Sequence, residues 1–125
     1  MIFKLAMLAL AGALGTLSRY ALSGAVQKIT GTGFPYGTLV VNLTGCFAVG
    51  ILWSLFESRF TVSSEMRLII LVGFMGAFTT FSTLILESSH LFKDAQLAMA
   101  LGNIIAQNVI GILFLFIGMA LGRYL

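Results

Sequence analysis

Gly73-Phe74-Met75-Gly76-Ala77-Phe78-Thr79-Thr80-Phe81-Ser82-Thr83-Leu84 is the stretch on which the fold turns. Its flanks are apolar enough for a helix that crosses a membrane, yet it carries four hydroxyls and two glycines. Glycine lowers helix stability, and Ser and Thr hydroxyls compete for backbone hydrogen bonds. Each hydroxyl taken singly is satisfied by bonding back to a carbonyl one turn earlier. The consecutive run Thr79-Thr80-Phe81-Ser82-Thr83 covers every face of a helix, so a regular helix turns some of them toward lipid unless a partner covers them. Together they predict a helix broken near the bilayer midplane. Irregular backbone at that depth is tolerated only where it is buried in protein or lines a cavity. The carbonyls it frees suit a dehydrated monovalent cation such as Na⁺, held as a structural centre.

On either side of this stretch the chain holds little except further membrane-crossing sequence. Of its 125 residues 59% are hydrophobic and 9% charged, with a mean hydropathy of +1.07, which excludes a water-soluble domain. A helical crossing needs about 20 mostly apolar residues, and four such segments nearly exhaust the length. They fall at residues 3–26, 36–56, 66–89 and 95–124 of a single all-α transmembrane domain spanning 1–125. The connections are short. Residues 27–35 collect the only proline and two glycines, the residues that end helices and permit turns. Residues 57–65 are polar, and Ser63 or Ser64 is placed to cap the next helix. His90-Leu91-Phe92-Lys93-Asp94 leaves room only for a tight reversal.

Lys4 followed by an apolar run and Ala9-Leu10-Ala11 has the outline of a secretory signal. The run continues past that point and three more spans follow, so a retained first helix is the simpler reading. The single cysteine, Cys46, precludes an intrachain disulfide. Four crossings place Lys4, Arg59, Arg67 and Arg123 on one side and Arg19, Lys28 and Lys93 toward the other. Basic residues normally fix orientation; here four oppose three, which predicts insertion in both directions and pairing as an antiparallel dimer. The net charge of +3 is scattered rather than gathered on one face, so nucleic acid is not a partner and most of these cations meet lipid phosphates.

Polar residues inside the membrane mark the informative positions. Asn42, followed by Thr44, brings two N–H donors and one acceptor into the second span; an interhelical clamp and a ligand contact both account for it. Asn103 and Gln107 stand four apart on one face of the fourth span, beside Asn108, and form a candidate polar stripe. Small residues at four-residue spacing, Gly12 with Thr16, Ala11 with Gly15 and Gly118 with Gly122, favour close helix packing. No cluster of carboxylates, histidines or cysteines suits zinc or a transition metal. No nucleophile and base stand out as an enzyme would require, and His90 lies at a loop.

Over nearly its whole length the chain resembles the Fluc (CrcB) family of fluoride channels. The likeness is carried by Gly12-Ala13-Leu14-Gly15-Thr16-Leu17-Ser18-Arg19-Tyr20, by Gly37-Thr38-Leu39-Val40-Val41-Asn42 and, most specifically, by the glycine-led run ending in Thr79-Thr80-Phe81-Ser82-Thr83. The resemblance implies a dual-topology antiparallel homodimer in the cell's inner (plasma) membrane, a multi-pass protein with two fluoride pathways and a central Na⁺. On matching positions Gly76 and Thr79 supply the carbonyls for Na⁺. Asn42 matches a pore-lining asparagine, Phe81 the first phenylalanine of an aromatic box, Ser82 and Thr83 a polar track, and Arg19 a basic residue toward a vestibule. Glu87 stands where relatives also carry a glutamate. One departure is Leu84, which occupies the place of the family's second phenylalanine.

Fluoride is small, strongly hydrated and a good hydrogen-bond acceptor, so its water must be replaced by closely placed donors. The Asn42 amide, the Ser82 and Thr83 hydroxyls and the electropositive rim of Phe81 meet that need. Two other readings share the composition. A small proton-coupled multidrug exporter requires a membrane-buried carboxylate, which the first span lacks and which Glu87 offers only near a helix end. A non-transporting scaffold subunit accounts for the hydrophobicity but not for the hydroxyl-rich break.

Overall fold

The computed structural model describes residues 1–125. It is all-helical, with four helices long and apolar enough to cross a membrane, Ile2–Thr30, Tyr36–Ser58, Ser64–Lys93 and Leu97–Tyr124, and the third of them is interrupted. The chain is a multi-pass membrane protein.

The first helix runs four residues beyond the sequence expectation because Gln27 organises the turn that follows. Its amide nitrogen donates to Gly31 O and to Phe34 O, the latter at 3.0 Å, and its oxygen accepts from Gly37 N–H at 3.1 Å. Gly31 ends the helix with φ +84°, a conformation that favours glycine. The third span opens on Ser63, whose hydroxyl accepts the Met66 N–H at 3.2 Å, a side-chain cap of the kind that satisfies an otherwise orphaned donor. Arg67, one turn into that helix, donates to Phe56 O and lies 5.8 Å from the Phe56 ring centroid, tying the second connection down.

Close backbone approach assembles the bundle. A methyl on Gly50 would strike Leu115 O and one on Gly118 would strike Phe47 O, so the second and fourth helices touch main chain to main chain. Gly122 meets Ile51 and Ser54 in the same way. On the other side a methyl on Gly15 would strike Phe74 O, and one on Gly73 would stand 3.0 Å from the Ala11 side chain. The spacing of Gly118 with Gly122 and of Ala11 with Gly15 therefore marks two real helix contacts. In lipid this packing and interhelical hydrogen bonds, rather than burial from water, drive association.

Within the third span, α-helix over Ser64–Leu68 gives way to wide π turns over Ile69–Met75, and the Gly76 N–H reaches back to Leu71 O. No feature of that apolar run predicts the wider turns. A short α-helical turn, Gly76–Phe78, leads into the break, and the second half resumes at Phe81–Lys93. Only 20 of 125 residues are buried within the chain, so most of its apolar side chains face lipid or another protein surface.

Candidate functional site

Thr79 and Thr80 form the break. Thr79 has φ −84° and ψ 161°, Thr80 has φ −150° and ψ 122°, both extended backbone. The Thr79 N–H still reaches Met75 O at 3.0 Å, but the Thr80 N–H and the carbonyls beyond it leave the helical ladder, and in hydrocarbon each orphan costs several kcal/mol. Asn42 answers this directly. Its Oδ1 accepts the Thr80 N–H at 2.8 Å and its Nδ2 donates to Thr80 O at 2.9 Å, so one carboxamide pairs both polar groups of one residue. The second Nδ2 hydrogen goes to Gln107 Oε1 at 2.6 Å. Gln107 Nε2 donates to Asn103 Oδ1 at 2.9 Å, and Asn103 Nδ2 donates to Ser88 Oγ at 3.0 Å. A continuous amide chain thus runs from the break through the fourth helix to the second half of the third.

The hydroxyls divide their duties. Thr79 Oγ1 donates to Met75 O at 3.0 Å, the local back-bond open to any membrane threonine. Thr80 Oγ1 accepts the Thr83 N–H at 3.3 Å, capping the second half-helix, and donates to Thr83 Oγ1 at 3.0 Å. Ser82 and Phe81 are exposed, Phe81 by 71%. The Thr80 N–H is turned toward Asn42 and away from Gly76 O, and Thr79 O accepts no hydrogen bond from the chain.

Two cavities meet at Thr80. A space of about 200 Å³ is lined by Thr16, Arg19, Ser23, Thr38, Thr80 and Thr83, which brings the Arg19 side chain and the hydroxyls of the break to one cavity. A cleft of about 290 Å³ on the other side is lined by Asn42, Thr79, Thr80, Phe81, Leu84 and Gln107 among others. Asn42, Phe81 and Thr79 therefore share one cleft, Arg19 and Thr83 the other cavity, while Ser82 and Gly76 lie outside both and are exposed. Leu84 is 3% exposed and forms part of the cleft wall beside Phe81. Glu87 is half-buried; its Oε1 accepts the Thr38 hydroxyl at 2.7 Å and its Oε2 has no partner.

The family described as CrcB-like protein, Camphor Resistance (CrcB), matches residues 6–119. This chain is a member of the CrcB-like family. It is 55% identical over 120 residues to the fluoride-specific ion channel FluC of Desulforapulum autotrophicum, with 96% of each chain covered. It is 51% identical over 120 residues to FluC of Nitrosococcus oceani, again with 96% of each covered, and 50% identical over 123 residues to FluC of Solidesulfovibrio magneticus, with 98% of each covered.

In this CrcB-like chain the residue most underrated by sequence reasoning is Thr80. As one of four neighbouring hydroxyls it carries no distinguishing mark, yet its backbone is the group Asn42 holds and it lines both cavities. Ser88 belongs to no motif, and Thr38 stands only as one residue of Gly37-Thr38-Leu39-Val40-Val41-Asn42. For Ser88 a signal exists, since an isolated serine facing a two-amide stripe on the neighbouring helix is a natural acceptor for it. Asn108, the third member of the candidate stripe, instead donates back to Ile104 O at 2.7 Å and stands apart from the chain of amides.

Proposed function

We propose that this protein is a passive, fluoride-selective channel of the inner membrane that lets fluoride leave the cell. The observation that carries the proposal is the polar track from Arg19 through Thr83 and Thr80 to the break, set in a chain half identical to proteins named fluoride-specific ion channels. Arg19 raises the local anion concentration at the mouth. The Thr83 hydroxyl replaces water on the ion inside the cavity it shares with Arg19, Ser82 adds a donor from the exposed side once a partner encloses it, and the rim of Phe81 offers a positive edge that holds an anion without binding it tightly. Residence must stay weak for the ion to leave, and neutral donors meet that condition.

The working unit in this proposal is an antiparallel homodimer with two pathways. The near balance of Lys and Arg across the membrane supports insertion in both directions. The exposure of Gly76, Phe81 and Ser82 supports a partner covering the open side of the break, since the break is tolerated at that depth only when protein covers it. A resident Na⁺ fits the same face: Thr79 O lacks a hydrogen bond, Gly76 O is relieved of the Thr80 N–H, and carbonyl oxygens are hard donors suited to a hard monovalent ion. Held by Gly76 and Thr79 carbonyls, that ion supplies a fixed positive charge that lowers the cost of an anion nearby. Lipid contacts the exposed aliphatic surface of the first and fourth helices.

The test is fluoride efflux from liposomes carrying the purified protein, read with a fluoride electrode beside a chloride control and without a proton gradient. Release of fluoride but not chloride supports the channel. Release only when a proton gradient is imposed identifies a coupled exporter, and no release at all leaves a scaffold subunit.

A further inference from the structure

We propose that the Gln107 side-chain carbonyl is a stand-in for the permeating anion, holding the Asn42 donor that fluoride takes and being displaced each time an ion passes. The inference rests on the fluoride reading and adds the residue that competes with the ion.

Asn42 has two N–H donors and one acceptor, and all three are engaged. Two of the bonds, Oδ1 to Thr80 N–H at 2.8 Å and Nδ2 to Thr80 O at 2.9 Å, pair the main chain of the break. Releasing either would orphan a backbone group in the membrane. The third, from Nδ2 to Gln107 Oε1 at 2.6 Å, joins two side chains and opens by side-chain rotation with no change of backbone. It is the only donor Asn42 can lend.

Gln107 is placed to lend it. The residue is 6% exposed and lines the same cleft as Asn42, Phe81 and Thr80. An amide oxygen and a fluoride ion ask the same of an N–H group, a short contact with a small hard acceptor, and the charged acceptor forms the stronger bond. The ion therefore wins the Asn42 donor when present and returns it when gone. Gln107 remains tethered meanwhile, because its Nε2 donates to Asn103 Oδ1 at 2.9 Å and Asn103 is held in turn by Ser88. Arrival of the ion thus exchanges one hydrogen bond for another instead of breaking one outright, which keeps residence short.

Fluoride flux is measured against fluoride concentration for the reconstituted wild-type chain, Gln107→Leu and Gln107→Asn. Leucine removes the competing oxygen, and asparagine withdraws it by one methylene while keeping an amide. Both variants are expected to lower the half-saturating fluoride concentration several-fold, with hydrogen exchange at the Thr80 amide unchanged. An unchanged half-saturation with a smaller maximal flux and faster exchange at Thr80 makes Gln107 a brace and overturns the inference. A third measurement needs no variant: fluoride titrated onto wild-type protein is expected to shift the side-chain amide resonances of Asn42 and Gln107 together, and a titration that moves neither overturns it. Wild-type protein without fluoride flux would remove the channel reading itself, whereas normal wild-type flux with an unmoved half-saturation removes only the role of Gln107.

Discussion

Replacing Asn42 by leucine, which has nearly the same shape and no polar atom, removes three hydrogen bonds at 2.6, 2.8 and 2.9 Å. Interhelical hydrogen bonds in membranes average ~0.6 and reach ~1.7 kcal/mol, because the separated helices find other partners. Thr80 is less fortunate than that average. With Thr79 at ψ 161° its N–H points away from Gly76 O, so neither half-helix can take it back without rebuilding the break. The two backbone bonds therefore sit near the upper figure and the bond to Gln107 nearer the mean, giving a loss of roughly 3 to 5 kcal/mol. Reversible unfolding of the reconstituted protein measures the loss, hydrogen exchange at the Thr80 amide localises it, and fluoride efflux reports its consequence. The expected result is a destabilised chain with a rapidly exchanging Thr80 amide and little flux. A loss below ~1 kcal/mol, with Thr80 still protected, would mean that the break holds itself and that Asn42 is not its clamp.

Three further outcomes are expected. Gly45→Ala drives a methyl into Thr79 Cγ2 and should cost about 1–3 kcal/mol in thermal unfolding. Adding Thr79→Ser deletes that methyl while keeping the hydroxyl on Met75 O, so the double variant should recover most of the loss, and one no more stable than the single would refute the contact. Phe81→Ile exchanges an aromatic edge for an aliphatic side chain at a position 71% exposed in the single chain. An aromatic edge is worth ~0.5–1.5 kcal/mol, so efflux through this variant should fall a few-fold to about tenfold, and unchanged efflux takes Phe81 out of the pathway. If Na⁺ is resident, stability should rise by about 1.4 kcal/mol for each tenfold increase in Na⁺ above its Kd, with a large organic cation holding ionic strength constant. Identical melting in both salts would refute the cation site at Gly76 and Thr79.

What the sequence determined by itself was set by composition. Long apolar runs separated by short polar connections leave only membrane crossing, because lipid forces each segment to satisfy its own backbone. The four helices follow from that reasoning, and so does a serine cap at residue 63 or 64, of which the packed chain uses Ser63. The reasoning also reached the disruption of the third span, since hydroxyls on every face of a helix cannot all be accommodated. It gave no role to Thr80, which caps, lines both cavities and is held by Asn42, beside Thr79, whose hydroxyl bonds back to Met75 O. Nor did it foresee the π turns over Ile69–Met75, whose residues are ordinary helix-compatible apolar ones. Those details belong to tertiary structure. Asn42 meets a backbone 38 residues away and an amide 65 residues away, and the second of these meetings depends on how closely Gly50, Gly118 and Gly122 let the second and fourth helices approach. A hydrogen bond is short and directional, so a residue's type announces that it needs a partner, and only the packed helices decide which partner it finds.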